Sequence, residues 1–516
     1  MTRRIERKDG RARAIMVQGT MSGAGKSLIA AGLCRIFAQD GYRVAPFKSQ
    51  NMSLNSAVTP EGFEIGRAQA MQAQACGIPA EAAMNPILLK PTTDVGSQVV
   101  VMGRPLDNMP AREYFRYKKS LVPTVQQAYD SLSRRFDIVV IEGAGSPAEI
   151  NLKSGDIVNM GMAKMAAAPV LLVGNIDCGG VFAQLIGTEI LLDQTERPYL
   201  KASVINKFRG DVSLLQPGLD ELERRMGVPV AGVVPYTELD LDDEDGFSAM
   251  QDGVRAGALL DIAVIRLPHI SNFTDFDALR LVDEVGLRYV SHAGELGSPD
   301  LVILPGTKAT LGDLAWLKER GLAQAICTLA QGGTPVLGIC GGFQMLGVEI
   351  VDTSGVEGGG RAEGLVLLPC RTEFREGKHL TQDEGEACGV GGPLAGLAGA
   401  HVRGYQIHMG ATTRDGGEAF CTLREKAASG AGVQAAHEDG CAQGNVYGTY
   451  LHGVFDSADC TKRLVEGLLE RKGITGRKVV VRERDERREA EFDKLADTLR
   501  SSLDMDLIYR ILEEGI

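Results

Sequence analysis

Residues 14–27 read Ala14-Ile15-Met16-Val17-Gln18-Gly19-Thr20-Met21-Ser22-Gly23-Ala24-Gly25-Lys26-Ser27. The first five positions form an apolar run typical of a short strand, and residues 28–38 have the pattern of a helix. A glycine-rich loop between a strand and a helix presents backbone N–H groups that can cradle phosphates. The stretch therefore predicts a phosphate-binding loop at the start of a parallel-sheet domain.

This loop supplies the first candidate site residues. Lys26 can neutralise phosphate charge, and the Ser27 hydroxyl can hold Mg²⁺. Thr20 stands where the strict motif has its first glycine, so the spacing departs from that motif by one residue. A glycine-rich turn that binds no nucleotide is the alternative. The predicted ATP contacts in the loop are Thr20, Ser22, Gly23, Ala24, Gly25, Lys26 and Ser27.

A second chemical signal surrounds Cys340. The apolar residues 336–339 lead into this cysteine, which has glycines close by on both sides. The pattern predicts a strand, a sharp turn and a helix, which expose the thiol and favour its thiolate. His452 follows another apolar run, residues 446–451, and can supply a base. The pair predicts amide hydrolysis through an acyl-enzyme, and a buried structural cysteine with an unrelated loop histidine is the alternative.

Composition is typical of a large enzyme with two or three domains. The 516 residues carry a formal net charge of −12, which argues against nucleic acid or an anionic membrane as the main partner. No apolar run approaches the ~18–20 residues of a membrane span, and the basic start lacks the pattern of a signal peptide. The 10 cysteines include no CxxC pair, so we expect reduced thiols and no zinc site. These features predict a cytoplasmic protein, and they do not indicate an oligomeric state.

Short apolar runs alternate with helical patterns in two series, which predicts parallel sheets covered on both faces. Glycine-rich residues 351–360 and 385–399 are expected to form surface loops. After the first strand, the predicted strands are 43–47, 138–141, 170–173, 202–205 and 230–233 in the first series, and 261–265, 301–304, 335–339 and 446–451 in the second.

Taken together, these motifs resemble the cobyric acid synthase family over nearly the whole chain. The N-terminal half resembles the dethiobiotin-synthetase-like P-loop fold, whose phosphate loop carries the same extra residue, and this accounts for Thr20. Asn175 and Cys178 stand where the family usually has Asp and Arg. The other segments that carry the resemblance are residues 47–56, 84–91 and 142–152.

Two further polar residues follow predicted strands of this half. Glu142 ends a strand at the edge where the phosphate loop opens, so its carboxylate can complete a Mg²⁺ site with Ser27. A strand-end acid in solvent is the alternative. Asn206 follows a later strand, and its resemblance to related P-loop folds implies a hydrogen bond to the nucleotide base. A solvated turn is the alternative for Asn206.

The C-terminal half resembles the triad-type glutamine amidotransferases. The resemblance implies an oxyanion hole made by the N–H that follows Gly306 and by the N–H of Gly341. Amidotransferases of this type usually have an acid two residues after the histidine, but Val454 stands there, as in the branch resembled. The sequence does not identify the group that orients His452. His408 is either a substrate contact or a structural histidine.

The resemblance also implies the reaction and its partners. Cys340 and His452 would release ammonia from glutamine, and ATP with Mg²⁺ would activate a substrate carboxylate for amidation. The implied substrate is the corrinoid adenosylcobyrinic acid a,c-diamide, amidated at its b, d, e and g carboxylates. One alternative is the related enzyme that amidates the a and c carboxylates. The other is a nucleotide-switch protein with a degenerate amidotransferase domain.

We therefore expect an α/β chain with two catalytic domains. Residues 1–240 form the P-loop amide synthetase domain, and 241–258 form an acidic linker. Residues 259–470 form the amidotransferase domain. Residues 471–516 form a helical segment, because apolar side chains recur there at helical spacing. These side chains are Phe492, Leu495, Leu499 and Leu503.

Overall fold

The computed structural model describes residues 5–93, 96–241, 257–426 and 435–516. A parallel sheet lies at the centre of each half of the chain, which confirms the predicted α/β class. Most of the predicted linker, 241–258, lies outside the described residues. Within the ranges described, no helix has both the length and the apolar composition that crossing a bilayer requires.

Strands and helices alternate through most of the chain. The elements of the N-terminal half are β1 (Arg13–Gly19), α1 (Lys26–Gln39), β2 (Val44–Phe47), β3 (Gln50–Met52), β4 (Ser56–Val58), β5 (Glu64–Gly66), α2 (Arg67–Ala75), β6 (Ile87–Thr93), β7 (Gly96–Val101), β8 (Arg104–Pro110), α3 (Ala111–Tyr117), α4 (Val122–Arg135), β9 (Ile138–Glu142), α5 (Met160–Ala166), β10 (Val170–Asn175), α6 (Val181–Leu191), β11 (Leu200–Phe208), α7 (Gln216–Met226) and β12 (Val230–Pro235). Those of the C-terminal half are β13 (Leu260–Ile265), α8 (Asp277–Arg280), β14 (Val285–Val290), α9 (Ala293–Leu296), β15 (Leu301–Leu304), α10 (Thr310–Glu319), α11 (Leu322–Gln331), β16 (Val336–Ile339), α12 (Gly341–Leu346), β17 (Glu349–Asp352), β18 (Gly360–Glu363), β19 (Cys370–Ala387), β20 (His401–Arg414), β21 (Cys421–Glu425), β22 (His437–Asp439), β23 (Cys441–Gln443), β24 (Val446–Thr449), α13 (Ala458–Arg471), α14 (Arg484–Ser502) and α15 (Met505–Glu514).

The first sheet has six parallel strands in the order β12-β11-β10-β1-β9-β2. It contains every strand predicted from the apolar runs of this half. Successive side chains of β1 point to opposite faces, so Met16 lies in one core and Ile15 and Val17 in the other. Because both faces are covered, the middle of each of these strands is a mostly apolar run.

Helices α14 and α15 return to this first sheet from the other end of the chain. They pack against α1, β1 and β12 and complete the core on the Ile15 face. The four residues whose spacing predicts a helix are all buried in this contact: Phe492, Leu495, Leu499 and Leu503.

A smaller four-stranded sheet lies between β2 and β9 in the chain, and the sequence reading does not predict it. Its strand order is β3-β6-β7-β8, and only β3 and β6 are parallel. β3 has three residues, and β8 begins and ends on polar residues or prolines that are mostly exposed. Neither strand has the apolar run that reveals a buried strand.

The C-terminal half contains two sheets. The first has the order β14-β13-β15-β16-β24-β23, and only β23 runs antiparallel to its neighbour. The other has the order β18-β17-β19-β21-β22, with β20 paired along β19. The expected surface loops are therefore partly wrong: residues 351–360 overlap β17 and β18, and residues 385–387 end β19. A Cβ at Gly385 would collide with the Thr422 carbonyl, so this glycine permits close strand pairing.

A buried charge cluster joins the two halves. The carboxylate of Glu64 accepts hydrogen bonds from Lys90 Nζ (2.8 Å) and Ser56 Oγ (2.9 Å) of its own half, and from Lys378 Nζ of β19. Burial opposes ionisation of Glu64, but the two ammonium groups hold its pKa well below the usual range. Burial lowers the pKa of Lys378 to about 7 despite its attraction to Glu64.

We expect Gly32→Val to destabilise the contact between α1 and α14. A Cβ at Gly32 would overlap the Leu499 side chain in a packed core, and overpacking costs about 1–3 kcal/mol. Gly187→Val is the matched control, because the position on α6 has open space around it. Differential scanning calorimetry should show a lower first transition for Gly32→Val alone. Equal transitions for the two variants would contradict the packing described.

Candidate active site

Cys340 lies on a sharp turn between β16 and α12, as the sequence pattern predicts. Its backbone has φ 50° and ψ −109°, a combination that residues with a Cβ rarely adopt. A Cβ at Gly338 would lie 2.6 Å from the amide nitrogen of Phe343. A Cβ at Gly342 would collide with the Leu304 carbonyl. The glycines therefore allow the strained turn that holds the thiol at the start of α12.

His452 is held by a carboxylate from a distant part of the chain. Its Nδ1–H donates to Asp275 Oδ2 over 2.7 Å, and Gly453 N–H donates to Asp275 Oδ1 over 3.1 Å. Burial lowers the pKa of His452, but the Asp275 carboxylate and the Cys340 sulfur outweigh it and raise the pKa to about 10. The Asp275 carboxylate therefore favours the protonated imidazole beside Cys340, the nucleophile–base arrangement on which cysteine catalysis depends.

Asp275 is the residue that sequence reasoning missed. Val454 is buried and apolar, so it cannot orient the imidazole. Asp275 precedes His452 by 177 positions and belongs to the polar run Ser271-Asn272-Phe273-Thr274-Asp275 after β13. Polar residues in the loop after a parallel strand are the signal that could have indicated it, because such loops meet at the carboxyl edge of the sheet.

The predicted oxyanion residues lie next to this pair. A Cβ at Gly306 would lie 2.8 Å from Cε1 of His452. A Cβ at Gly341 would lie 3.1 Å from the backbone nitrogen of Thr307. The loop that follows β15 thus approaches both the base and the nucleophile turn. The role of these N–H groups in holding an oxyanion stays a prediction.

His408 lines the pocket that contains Cys340 and His452, which we call the thiol pocket. Its ring stacks on Tyr450 with 3.7 Å between centroids, and its Nδ1 lies 2.8 Å from the Gly410 carbonyl oxygen. Burial lowers the pKa of His408 to about 3, so the ring is neutral near pH 7. This geometry favours the structural role for His408 over proton transfer.

The phosphate loop connects β1 to α1 as predicted. Gly23 and Gly25 have φ angles of 72° and 88°, and this left-handed backbone explains the need for glycine there. Lys26 Nζ donates to the Met21 carbonyl over 2.9 Å and lies against the loop. Thr20 Oγ1 lies 3.0 Å from Gln184 Oε1, so this side chain faces α6.

Glu142 lies beside the loop and is buried, so the solvent-exposed alternative is wrong. Its Oε1 accepts hydrogen bonds from Ser27 Oγ over 2.9 Å and from Lys48 Nζ over 2.8 Å. Its Oε2 accepts a hydrogen bond from Gln72 Nε2 over 2.6 Å. Burial raises the pKa of Glu142, but the Lys48 ammonium outweighs it and holds the pKa below its usual range. The ionised carboxylate and the Ser27 hydroxyl are oxygen ligands of the kind Mg²⁺ prefers.

Asn206 contacts the phosphate loop itself. Its Nδ2 donates to the Ala24 carbonyl over 2.9 Å, and a Cβ at Gly25 would collide with that nitrogen. Asn175 makes a similar contact from the next strand, with Nδ2 donating to the Gly23 carbonyl over 3.3 Å. Both amides therefore support the shape of the loop. Contact between Asn206 and a nucleotide base stays a prediction.

A pocket opens at the phosphate loop, and we call it the phosphate-loop pocket. It contains Lys26, Ser27 and Glu142 from the N-terminal half. An apolar cleft adjoins it along the N-terminal half. The C-terminal half contributes Pro268, Ile270 and Phe273 to the pocket. The residues that the pocket and the cleft share are Met52, Ala144 and Gly145.

Two family models match the chain. Residues 15–245 match the CobQ/CobB/MinD/ParA nucleotide binding domain, and residues 261–460 match the CobB/CobQ-like glutamine amidotransferase domain. The fold and the site therefore define a glutamine-hydrolysing ligase with a nucleotide-binding domain.

Full-length relatives specify the family. The chain is 52% identical to cobyric acid synthase of Ruminiclostridium cellulolyticum, with 98% of each chain covered. It is 51% identical to cobyric acid synthase of Yersinia enterocolitica, with 97% of this chain and 98% of the relative covered. The chain belongs to the cobyric acid synthase family, whose members amidate a substrate of cobalamin biosynthesis with nitrogen from glutamine.

We expect Asp275→Asn to lower the glutaminase rate by about 10²–10⁴-fold, because the amide cannot hold His452 in the same tautomer or stabilise its cation. The change removes one charge and no volume. Glutamate release measures the effect, and ATP-dependent use of ammonium by the same protein is the internal control. A glutaminase rate within twofold of wild type would contradict the role of Asp275.

Proposed function

We propose that this chain uses ATP and glutamine to amidate the b, d, e and g carboxylates of adenosylcobyrinic acid a,c-diamide. The observation that carries the proposal is the pairing of two complete sites. Cys340, His452 and Asp275 form a nucleophile, a base and an orienting acid. The phosphate loop and Glu142 form a second site, whose pocket is lined by both halves of the chain.

In the thiol pocket, the proposed reaction is hydrolysis of the glutamine carboxamide. The Cys340 sulfur attacks the carbonyl carbon, and His452 passes its proton to the departing nitrogen, which leaves as ammonia. Water, with its proton taken by His452, then cleaves the thioester and releases glutamate. The N–H groups at Thr307 and Gly341 are the proposed donors to the oxyanion.

In the phosphate-loop pocket, the proposed reaction is phosphorylation of a substrate carboxylate. Lys26 and the loop N–H groups would hold the ATP phosphates, while Ser27 and Glu142 would hold Mg²⁺, which neutralises phosphate charge. The carboxylate oxygen attacks the γ-phosphorus and ADP leaves. Ammonia then attacks the acyl carbon, and phosphate leaves as the amide forms. Direct passage of ammonia is favoured because the free molecule is mostly protonated at neutral pH.

The apolar cleft beside the phosphate-loop pocket supports a corrinoid as the acid substrate. Met52, Phe115 and Leu152 line it together and remain 60%, 40% and 39% exposed, and a contiguous exposed apolar surface is typical of a binding site. The Lys118 ammonium lies 4.3 Å from the Phe115 ring centroid in this cleft, which Glu149 and Asp156 also line. A corrin ring has apolar faces, so the apolar walls suit it, and Lys118 can face one of the carboxylates around its edge. The cobalt ion belongs to this substrate.

Mutations in the two sites should affect glutamine-dependent and ammonium-dependent amidation differently. Cys340→Ser should abolish amidation from glutamine and leave amidation from high ammonium largely intact, because the thiol serves only ammonia release. Lys26→Ala should remove amidation from either nitrogen source, because phosphate handling precedes ammonia attack. Mass spectrometry of the corrinoid product measures both. Loss of both activities in folded Cys340→Ser, or rescue of Lys26→Ala by ammonium, would contradict the assignment.

The cleft should control affinity for the corrinoid. We expect Leu152→Glu to raise KM for adenosylcobyrinic acid a,c-diamide at least tenfold, because it places a carboxylate against an apolar, polyanionic ligand. The KM for ATP and the glutaminase rate measured without the corrinoid should change less than twofold. Leu214→Glu is the matched control, since Leu214 is 82% exposed and lies outside the cleft. An unchanged corrinoid KM for Leu152→Glu would place the substrate elsewhere.

A further inference from the structure

One segment of the C-terminal half, residues 268–276, separates the two pockets. Ile270 and Phe273 line the phosphate-loop pocket. Ser271 and Asn272, which lie between them in the sequence, line the thiol pocket. Neighbouring residues of this segment therefore line different pockets.

The same segment holds the groups that operate Cys340. Asp275 accepts the hydrogen bond from His452 Nδ1–H. Ser271 N–H donates to the Gly306 carbonyl over 2.9 Å, and the His269 carbonyl accepts from Lys308 N–H over 3.2 Å. The segment is thus bonded both to the base and to the loop that carries the proposed oxyanion donors.

Asn272 is the point where the N-terminal half reaches the base. Its Oδ1 accepts a hydrogen bond from Ser56 N–H over 3.0 Å, and its Nδ2 lies 3.4 Å from His452 Nε2. Because the Ser56 N–H can only donate, the amide oxygen must face Ser56 and the amide nitrogen must face the imidazole. Asn272 is 2% exposed and has φ 52° and ψ 41°, a left-handed conformation that asparagine adopts more readily than most residues with a Cβ.

The orientation of this amide has a chemical consequence. An amide nitrogen can donate to Nε2 only when Nε2 carries a lone pair, which means that the imidazole is neutral. The same lone pair receives the proton of Cys340. Asn272 therefore competes with the thiol proton for Nε2, and this contact opposes the protonated imidazole that Asp275 favours.

The residue that fixes the amide follows directly after part of the phosphate-loop pocket. Residues 51–55 line that pocket, and Ser56 is the next residue in the chain. Both ends of the contact, Ser56 and Asn272, thus adjoin residues that ligands of the phosphate-loop pocket would touch. On the Asn272 side, the adjoining residue is Phe273, which lines the phosphate-loop pocket.

We propose that Asn272 is a positioning residue through which occupancy of the phosphate-loop pocket controls His452. With this pocket empty, Ser56 holds the Asn272 amide against Nε2 and glutamine hydrolysis is slow. ATP and the carboxylate substrate displace residues 51–56 and Phe273, the amide leaves Nε2, and Cys340 transfers its proton. This inference rests on the proposed function, and it explains how ammonia release waits for an acceptor.

The test is the glutaminase kcat of the full chain, with and without Mg²⁺, ATP and adenosylcobyrinic acid a,c-diamide. Wild type should be stimulated by the three additions. Asn272→Ala should raise the unstimulated kcat about fivefold, a factor that corresponds to one net hydrogen bond, with KM for glutamine unchanged. Its stimulation should fall below twofold. Asn445→Ala is the matched control, because that amide donates to the backbone carbonyls of Ala330 and Thr334 in the same half.

Several results would overturn the inference. One is a wild-type glutaminase kcat that the three additions do not raise. Another is an Asn272→Ala enzyme with the same ratio of stimulated to unstimulated kcat as wild type. The third is a folded Asn272→Ala enzyme that is slow under both conditions, which would mean a structural role. Asn272→Ser, which also lacks the amide, replaces the alanine variant if circular dichroism shows that it has not folded. Cys340→Ser assayed in parallel must have no glutaminase activity. Activity there would refute the proposed function, whatever Asn272 does.

Discussion

The buried carboxylate of Glu64 is the interaction on which the relation between the two halves depends. An ion buried without a partner costs several kcal/mol, so Glu64 requires both Lys90 and Lys378, and Lys378 comes from the opposite half. The same two lysines line the thiol pocket. Contact between the halves therefore also completes the wall of the thiol pocket. A detached amidotransferase half would lack Lys90 from its pocket wall.

Much of the fold follows from local patterns, because a parallel strand covered on both faces is a nearly continuous apolar run. β9 and β10 satisfy this condition and were predictable within a residue or two. β19 does not satisfy it. Its 18 residues alternate between buried and exposed positions, and its middle carries charged residues with few apolar ones. A strand with one solvated face and a register shift near Lys378 has no signal that a search for apolar runs can detect.

The residues of the candidate site likewise include some that local sequence patterns predict and some that they do not. Cys340 and the phosphate loop were predictable because a strand, a turn and a helix that are consecutive in sequence create their chemistry. The position of Asp275 against His452 depends instead on how two strand-end loops of one sheet meet, and no local pattern encodes that meeting. Glu142 is intermediate. Its place at a strand end was readable, but the ammonium of Lys48 that compensates its burial was not.

The return of α14 and α15 to the first sheet has a consequence for synthesis of the chain on the ribosome. The strands of that sheet are complete once β12 has emerged, yet one face of α1 and β1 then still lacks its cover. At about 5–20 residues per second, the amidotransferase half occupies the ribosome for on the order of tens of seconds before α14 appears. During that interval the apolar residues of α1 and β1 that α14 and α15 later cover stay exposed to solvent and to other chains. We therefore expect this half to bind chaperones that recognise apolar segments of emerging chains.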